Sequence, residues 1–388
     1  MKKLIIIGAN NFQLPLILKA KEMNIETHVF AWEEGAVGKE FASKFYPISI
    51  TEKEQILEEA RKIEPDGIIS IGSDLAMITV NYVANELGLT ANSATCTEVT
   101  TNKFLMRQVL DVSDMPCPKF ILSNSSEEIL NCGLKFPMIV KPTDRSGSRG
   151  VTKVQTHDEL ESAIKRAKSE SFNQEVIVEE FVVGQEFSVE SVSWKGEHYV
   201  LQITEKETTG APYFVEKAQH QPANISTELQ QEVAEIVKAS LSALGVQDGA
   251  SHSEIFITSE NKIFITEIGA RMGGDYIGSN LVELSTGFDF LKAVIEIAMG
   301  NFDPKSIRLD QNAYSGVYFI FPKPGKITQI INNSSDFAEI VQCDIQCAIG
   351  ENISEIKESG KRPAAYIYRS ETERFVAQST VVEIVTEG

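Results

Sequence analysis

The sequence has little of what marks a secreted, fibrous or nucleic-acid-coating chain. Cysteine is scarce, at 5 in 388 residues. Cys96, Cys117, Cys132, Cys343 and Cys347 form no Cys-x-x-Cys pair and are odd in number, which fits reduced thiols better than a disulfide frame. Cys343 and Cys347 are close in sequence, but no neighbouring His or further Cys completes a metal set. Proline numbers only 13, and no low-complexity tract or repeat is visible, which excludes disorder, collagen and solenoid architectures. Basic charge is in deficit: 36 Lys+Arg against 55 Asp+Glu leave a formal charge of −19. That argues against nucleic acid as a partner, which would need Lys/Arg clustered on one face, but leaves room for a small anion in a local basic pocket. Apolar runs are short as well. After Met1-Lys2-Lys3 comes Leu4-Ile5-Ile6-Ile7, too brief for a signal peptide or a membrane span, so the expected setting is cytoplasmic with no membrane partner.

What is present is a globular composition, 42% hydrophobic, in a length that suggests two or three domains. Residues 1–95 alternate short apolar runs (Leu4 to Ile7, Thr27 to Ala31, Gly67 to Ile71) with helical periods. One such helix, Lys53 to Ile63, is closed off by Pro65. This is the pattern of βαβ units and predicts a small Rossmann-like α/β domain with a parallel sheet. The first turn, Gly8-Ala9-Asn10-Asn11-Phe12-Gln13, has one Gly where a dinucleotide fingerprint needs three, so it reads as a plain strand-turn-helix junction. From about Thr100 the texture becomes α+β. A helix carries Lys103 and Arg107, and strands are predicted at Phe120 to Leu122, Met138 to Val140, Val176 to Glu179, Glu186 to Val192 and Tyr199 to Thr204. A hairpin pairs Ser253 to Thr258 with Lys262 to Glu267. Residues 301–388 turn strand-rich and predict a C-terminal β-rich cap.

Three constellations carry chemistry. In Ile139-Val140-Lys141-Pro142, followed by a loop containing Ser146, Gly147, Ser148, Arg149 and Gly150, an ammonium ends a buried strand. Small residues beside it let backbone N–H groups approach a phosphate, although no Gly-Lys-Ser/Thr makes this a Walker loop. In Glu179-Glu180-Phe181-Val182-Val183-Gly184-Gln185-Glu186-Phe187-Ser188-Val189-Glu190, alternation puts Glu186, Ser188 and Glu190 on one face, either solvated or aimed at ribose hydroxyls. The third is the pair Glu254 and Glu267, each flanked by apolar residues, with Arg271 four positions further on. Two carboxylates drawn together repel, a divalent cation relieves that cost, and hard oxygen ligands select Mg²⁺ or Mn²⁺.

Taken in order, Lys103, Lys141, the small-residue loop, Glu-Glu-Phe-Val at 179–182 and the Glu254/Glu267/Arg271 set resemble the ATP-grasp superfamily over roughly residues 1–300. The resemblance implies a preATP-grasp Rossmann-like domain at 1–95 and an ATP-grasp domain at 96–300. The latter would comprise an ATP-binding part at about 110–205 and a metal and substrate part at about 206–300, with a cap at 301–388. It implies that Lys103 and Lys141 contact ATP phosphates and that the loop Ser146 to Gly150 covers them. Glu179, Glu180, Phe181 and Val182 would meet adenine, Glu186 would bind ribose, and Glu254 and Glu267 would hold Mg²⁺. Where many members carry a metal-binding Asn, this chain has Gly269. Glu267-Ile268-Gly269-Ala270-Arg271-Met272-Gly273-Gly274, with Glu216-Lys217-Ala218-Gln219-His220-Gln221-Pro222, looks like the L-amino-acid ligase branch. That likeness implies transfer of the γ-phosphoryl group to a carboxylate and capture of the acyl phosphate by an amine, releasing ADP and phosphate. Arg271 would fix the substrate carboxylate or the tetrahedral oxyanion, helped by the N–H groups of Gly273 and Gly274. His220 would orient the second substrate, take a proton from the amine, or serve as a loop histidine with no task. Specificity is expected in the segment Thr208 to Ala223, where Gly210, Pro212 and Tyr213 mark a mobile stretch. Biotin-carboxylase, carbamoyl-phosphate and purine-biosynthesis ligases share the scaffold. A regulatory protein that binds ATP without turnover is the competing reading, and a homodimer is allowed.

Overall fold

A computed structural model describes residues 1–211 and 213–387. The N-terminal unit is a four-stranded parallel sheet in the order β3-β2-β1-β4, formed by β1 (Lys3–Ile7), β2 (Glu26–Phe30), β3 (Lys44–Tyr46) and β4 (Gly67–Ile69). Leu4 to Ile7 are wholly buried because helices cover both faces, as a parallel sheet requires. The helix Lys53–Ile63 ends where Glu64 turns left-handed ahead of Pro65. Gln13 fills the first turn: its Nε2 donates to the Ile71 carbonyl at 2.8 Å. A Cβ on Gly8 would meet that side chain at 2.9 Å. The helix Asp74–Leu87 follows β4, capped by Ser73 Oγ accepting from the Ala76 N–H, so Asp74 stands at the carboxyl edge of the sheet.

The second sheet is antiparallel in the order β5-β8-β6-β7, from β5 (Phe120–Leu122), β6 (Met138–Pro142), β7 (Thr152–Val154) and β8 (Val176–Glu180). It packs through Val140, Val154 and Val178 on the helix His157–Glu170. The third and largest sheet runs β13-β12-β9-β10-β11-β14-β18-β16. Its strands are β9 (Gln185–Trp194), β10 (Glu197–Thr208), β11 (Glu216–Gln221), β12 (Gly249–Ile257), β13 (Ile263–Gly269), β14 (Tyr314–Phe319), β16 (Ile340–Ile345) and β18 (Ala364–Ser370). The remaining C-terminal strands, β15 (Gly325–Asn332), β17 (Asn352–Ile353) and β19 (Val382–Glu387), make a separate three-stranded sheet. The strand-rich C-terminal region therefore splits its strands, three of them extending the large sheet. All five cysteines are free. Among the described residues no helix is long and apolar enough to cross a membrane.

Candidate functional site

Between the second and third sheets lies a cavity of about 550 Å³, and the helix Lys103–Val112 supplies part of its wall. Asn102 caps that helix, its side chain accepting from the N–H groups of Phe104 and Leu105, and so fixes where Lys103 and Arg107 emerge one turn apart. Lys141 on β6 and Glu179 on β8 are diagonal neighbours on one face of the antiparallel pair. Glu179, 3% exposed, takes Lys141 Nζ at 2.7 Å on one oxygen and Arg107 Nε at 2.8 Å on the other. Burial alone would push the Glu179 carboxyl up, but Arg107 and Lys141 outweigh it and hold the group below its ordinary range. Burial, with Arg107 and Lys103 nearby, pulls the Lys141 ammonium down despite Glu179. Glu179 thus reaches the cavity wall with its carboxylate already committed to two cations, an ion-pair role in place of the side-chain contact with adenine that the sequence led us to expect.

The floor is one face of the large sheet. Glu254 on β12 stands in register with Glu267 on β13 and with Ser188 on β9, and His252 stands beside Glu190 and Gly269. Lys206, 3% exposed on β10, reaches across to Glu186 at 2.7 Å, Glu254 at 2.8 Å and Glu216 at 3.8 Å. Glu267 is held by Lys103 at 3.1 Å, and Lys103 Nζ also donates to the Arg145 carbonyl at 2.5 Å. Burial opposes charge on Lys206, but the surrounding carboxylates win and raise it well above its ordinary value. Burial likewise opposes charge on Glu254, which Lys206 and His252 nonetheless drive well below the carboxylate range. Glu186 goes the other way, raised by burial and by Glu254 and Glu216 against the pull of Lys206.

Glu190 and Ser188 share the face of Glu186, as the alternation predicts, yet both are fully buried and neither is solvated nor open to a ribose. Glu190 accepts from the Gly273 N–H at 3.2 Å and lies 2.5 Å from His252 Nδ1. Burial would lower the His252 pKa, but Glu190 raises it to about 9.

Arg271 enters the cavity from just beyond β13. Asp74 holds it bidentately, with Nε to Oδ1 at 2.8 Å and Nη2 to Oδ2 at 3.1 Å. A Cβ on Gly269 would stand 3.0 Å from Asp74 Oδ1 and 3.1 Å from Arg271 Cζ. The missing side chain at Gly269 leaves this space to the Asp74–Arg271 pair. The Gly273 N–H, expected as an oxyanion helper, is donated to Glu190 instead, while Gly274 opens on a second cavity of about 400 Å³. That cavity shares Ser146, Gly147, Lys206, Glu216, Glu254 and Arg271 with the first.

The remaining sequence-derived residues fall unevenly. Ser146, Gly147 and Ser148 line the first cavity, with Gly147 and Ser148 in left-handed conformation. Gly150 does not line it: it packs on Pro142 and Glu170, either of which a Cβ would meet at 3.1 Å. Glu180, Phe181 and Val182 line its far end with Ile139, Phe214 and Phe256. There the Glu180 carboxylate accepts from the Lys119 N–H, and Lys153 Nζ sits 3.6 Å from the Phe181 ring. His220 is not in either cavity and not in a loop. It lies on β11, fully buried, with Nδ1 3.0 Å from the Tyr368 hydroxyl and Nε2 3.2 Å from Glu207. Burial and Arg374 depress its pKa to about 4, so a core position replaces the expected role in orienting or deprotonating substrate. Over Glu216–Gln221 the expected mobile segment is this strand, and Pro212 lies outside the described residues.

Sequence reasoning missed Lys206, Asp74 and Arg362. Lys206 continues the polar face Gln202, Thr204 of β10, a signal the alternation carries. Asp74 sits at the carboxyl end of a parallel strand, where open α/β sheets place ligands. Arg362, from the C-terminal region, lines the second cavity, paired to Asp275 at 2.5 Å, and had no such signal.

Among the described residues no three His, Cys, Asp or Glu side chains converge as a ready metal cage. Glu254 and Glu267 nonetheless fit Mg²⁺, which takes one or two carboxylates and completes its shell from phosphate oxygens and water.

The profile of the family described as "ATP-grasp domain" matches residues 134–279. The formate-dependent phosphoribosylglycinamide formyltransferase of Methanocaldococcus jannaschii is 25% identical over 290 residues, 69% of each chain. The L-arginine-specific L-amino acid ligase of Bacillus subtilis is 24% identical over 333 residues, 82% of this chain and 78% of that one. Among solved structures, an L-amino acid ligase from Bacillus licheniformis superposes with a TM-score of 0.87 at 20% identity, covering 100% of this chain and 99% of that one. Residues 134–279 thus match an ATP-grasp domain, and over its whole length the chain shares its fold with the L-amino acid ligase.

Proposed function

We propose that the protein joins a carboxylate to an amine at the expense of ATP and Mg²⁺, through an acyl phosphate, with amino-acid-like substrates. The observation that carries this reading is the junction of the two cavities. There Glu254 and Arg271, which line both cavities, meet Lys103, Lys141 and Glu267 of the first. The likeness to amino-acid ligases supports the substrate class.

A carboxylate is a poor electrophile, and phosphorylation supplies a leaving group. The triphosphate would lie along Lys103, Lys141 and the Ser146 to Ser148 loop, with adenine in the apolar end at Phe181, Val182 and Phe214 and ribose toward Glu186. Mg²⁺ held by Glu254 and Glu267 would neutralise charge on the phosphates. Phosphoryl transfer asks the protein mainly for position and charge, and these side chains offer both. Arg271, pre-oriented by Asp74, presents its remaining N–H groups to the substrate carboxylate, then to the oxyanion formed when the amine attacks. Phosphate leaves as the C–O bond breaks, the proton lost by the amine passes to the departing phosphate or to solvent, and the amide remains.

The test is release of ADP and phosphate from purified protein given ATP, Mg²⁺ and a panel of paired amino acids, with hydroxylamine added to trap the acyl phosphate as a hydroxamate. Acid-dependent hydroxamate is expected. No release over a broad panel of acids and amines would sink the reading, as would normal turnover in Glu267→Gln.

A further inference from the structure

Each of the two carboxylates that fit the metal is closed by a buried lysine. Lys206 Nζ lies 2.8 Å from Glu254, and Lys103 Nζ 3.1 Å from Glu267. Both ammonium groups also face the nucleotide cavity, and Lys206 lines the second cavity as well. Lys206 is enclosed by Glu186, Glu216 and Glu254, while Glu254 is further approached by His252 Nε2 at 3.5 Å. A divalent ion arriving alone must share Glu254 with Lys206, which Glu186 and Glu216 hold in place beside it, and must displace Lys103, whose other hydrogen bond is to the Arg145 carbonyl. A polyphosphate changes that balance, because its oxygens offer both lysines new anionic partners at the moment the carboxylates are wanted by the metal.

We propose that Lys206 and Lys103 form a cation latch that holds Glu254 and Glu267 closed against free divalent metal and is opened by a polyphosphate. The proposal rests on the ligase reading above and deepens it, making metal entry conditional on nucleotide. Lys206 is a positioning residue here, acting through Glu254. The consequence runs against the usual effect of damaging a site: removing the lysine charge makes the protein a better binder of bare metal while making it a worse enzyme.

The experiment is a Mn²⁺ titration of the full chain without nucleotide, read by the loss of the free-ion electron paramagnetic resonance signal. Wild-type protein and Lys206→Arg, which keeps the charge, are expected to bind Mn²⁺ weakly. Lys206→Met is expected to bind at least tenfold more tightly, and Glu254→Gln in that background to cancel the gain. Lys103→Met tests the other half of the latch independently and covers the case in which Lys206→Met does not fold. Folded lysine variants that bind Mn²⁺ no more tightly than wild type overturn the latch, as does tight wild-type binding without nucleotide. Calorimetric titration of wild type with the Mg²⁺ complex of a non-hydrolysable ATP analogue separates the two claims. No binding there refutes the ligase reading, whereas normal binding with unmoved Mn²⁺ affinities refutes only the latch.

Discussion

Glu179→Gln removes one negative charge from a place where two cations depend on it. Arg107, fully buried, has its Nε 2.8 Å from one carboxylate oxygen, and Lys141 has its Nζ 2.7 Å from the other. At an effective dielectric of about 20, a single contact at this separation is worth about 6 kcal/mol before desolvation is subtracted. Desolvation has already been suffered by all three groups, so the substitution strands Arg107 rather than returning it to water. Breaking a buried pair from one side typically costs about 3–5 kcal/mol. For a cooperative unit of about 200 residues that corresponds to a fall in melting temperature on the order of 10 °C. Differential scanning calorimetry of nucleotide-free protein reads it directly. The double variant Glu179→Gln/Arg107→Met, which replaces the stranded guanidinium by an apolar side chain, is expected to recover at least half of the loss. A single variant melting within about 2 °C of wild type, or a double variant no better than the single, would refute the reasoning.

Gly269→Asn inserts a Cβ 3.0 Å from Asp74 Oδ1 and 3.1 Å from Arg271 Cζ. Turnover is expected to fall about 10–100-fold from displacement of the guanidinium, with no gain in metal stoichiometry by calorimetry. Gly184→Ala, between β8 and β9, drives a Cβ to 2.5 Å from the Ile257 carbonyl oxygen, which is backbone and cannot step aside. A loss of about 1–3 kcal/mol is expected in denaturant melts. His220 supplies a pH signature. Its folded pKa of about 4 lies below the ordinary 6.5, so the unfolded chain takes up the proton first. The stability it contributes is complete above pH 6.5 and declines as pH falls towards 4, by about 3 kcal/mol in all. Melts across that window are expected to show a shallower slope for His220→Gln, with activity at pH 8 within a few-fold of wild type.

Local sequence was enough for elements whose partners are close in the chain. The helix Lys53–Ile63 is bounded by its own periodicity and by Pro65, and the β12–β13 hairpin that puts Glu254 opposite Glu267 spans one short turn. It was not enough for β11. Glu216-Lys217-Ala218-Gln219-His220-Gln221 has one apolar residue and no alternation to mark it. It is a buried strand because β10 pairs with it on one side and β14, nearly a hundred residues later, on the other. The same distance hid the fate of Glu190, read as a surface or ribose-binding carboxylate and found between His252 and the Gly273 N–H.

The sequence by itself determined which chemical groups the protein owns and in what order. A basic strand end, a small-residue loop, paired carboxylates and an arginine in a chain of charge −19 are enough to expect an anion pocket inside an acidic exterior. Only the tertiary structure decided which charges face each other. A charge is neutralised by whatever stands within a few ångströms, and here those neighbours come from different sheets and helices: Lys206 on Glu254, Lys103 on Glu267, Asp74 on Arg271, Arg107 on Glu179. Side-chain identity is local, but the partner that sets its charge, reach and availability is contributed by chain far away.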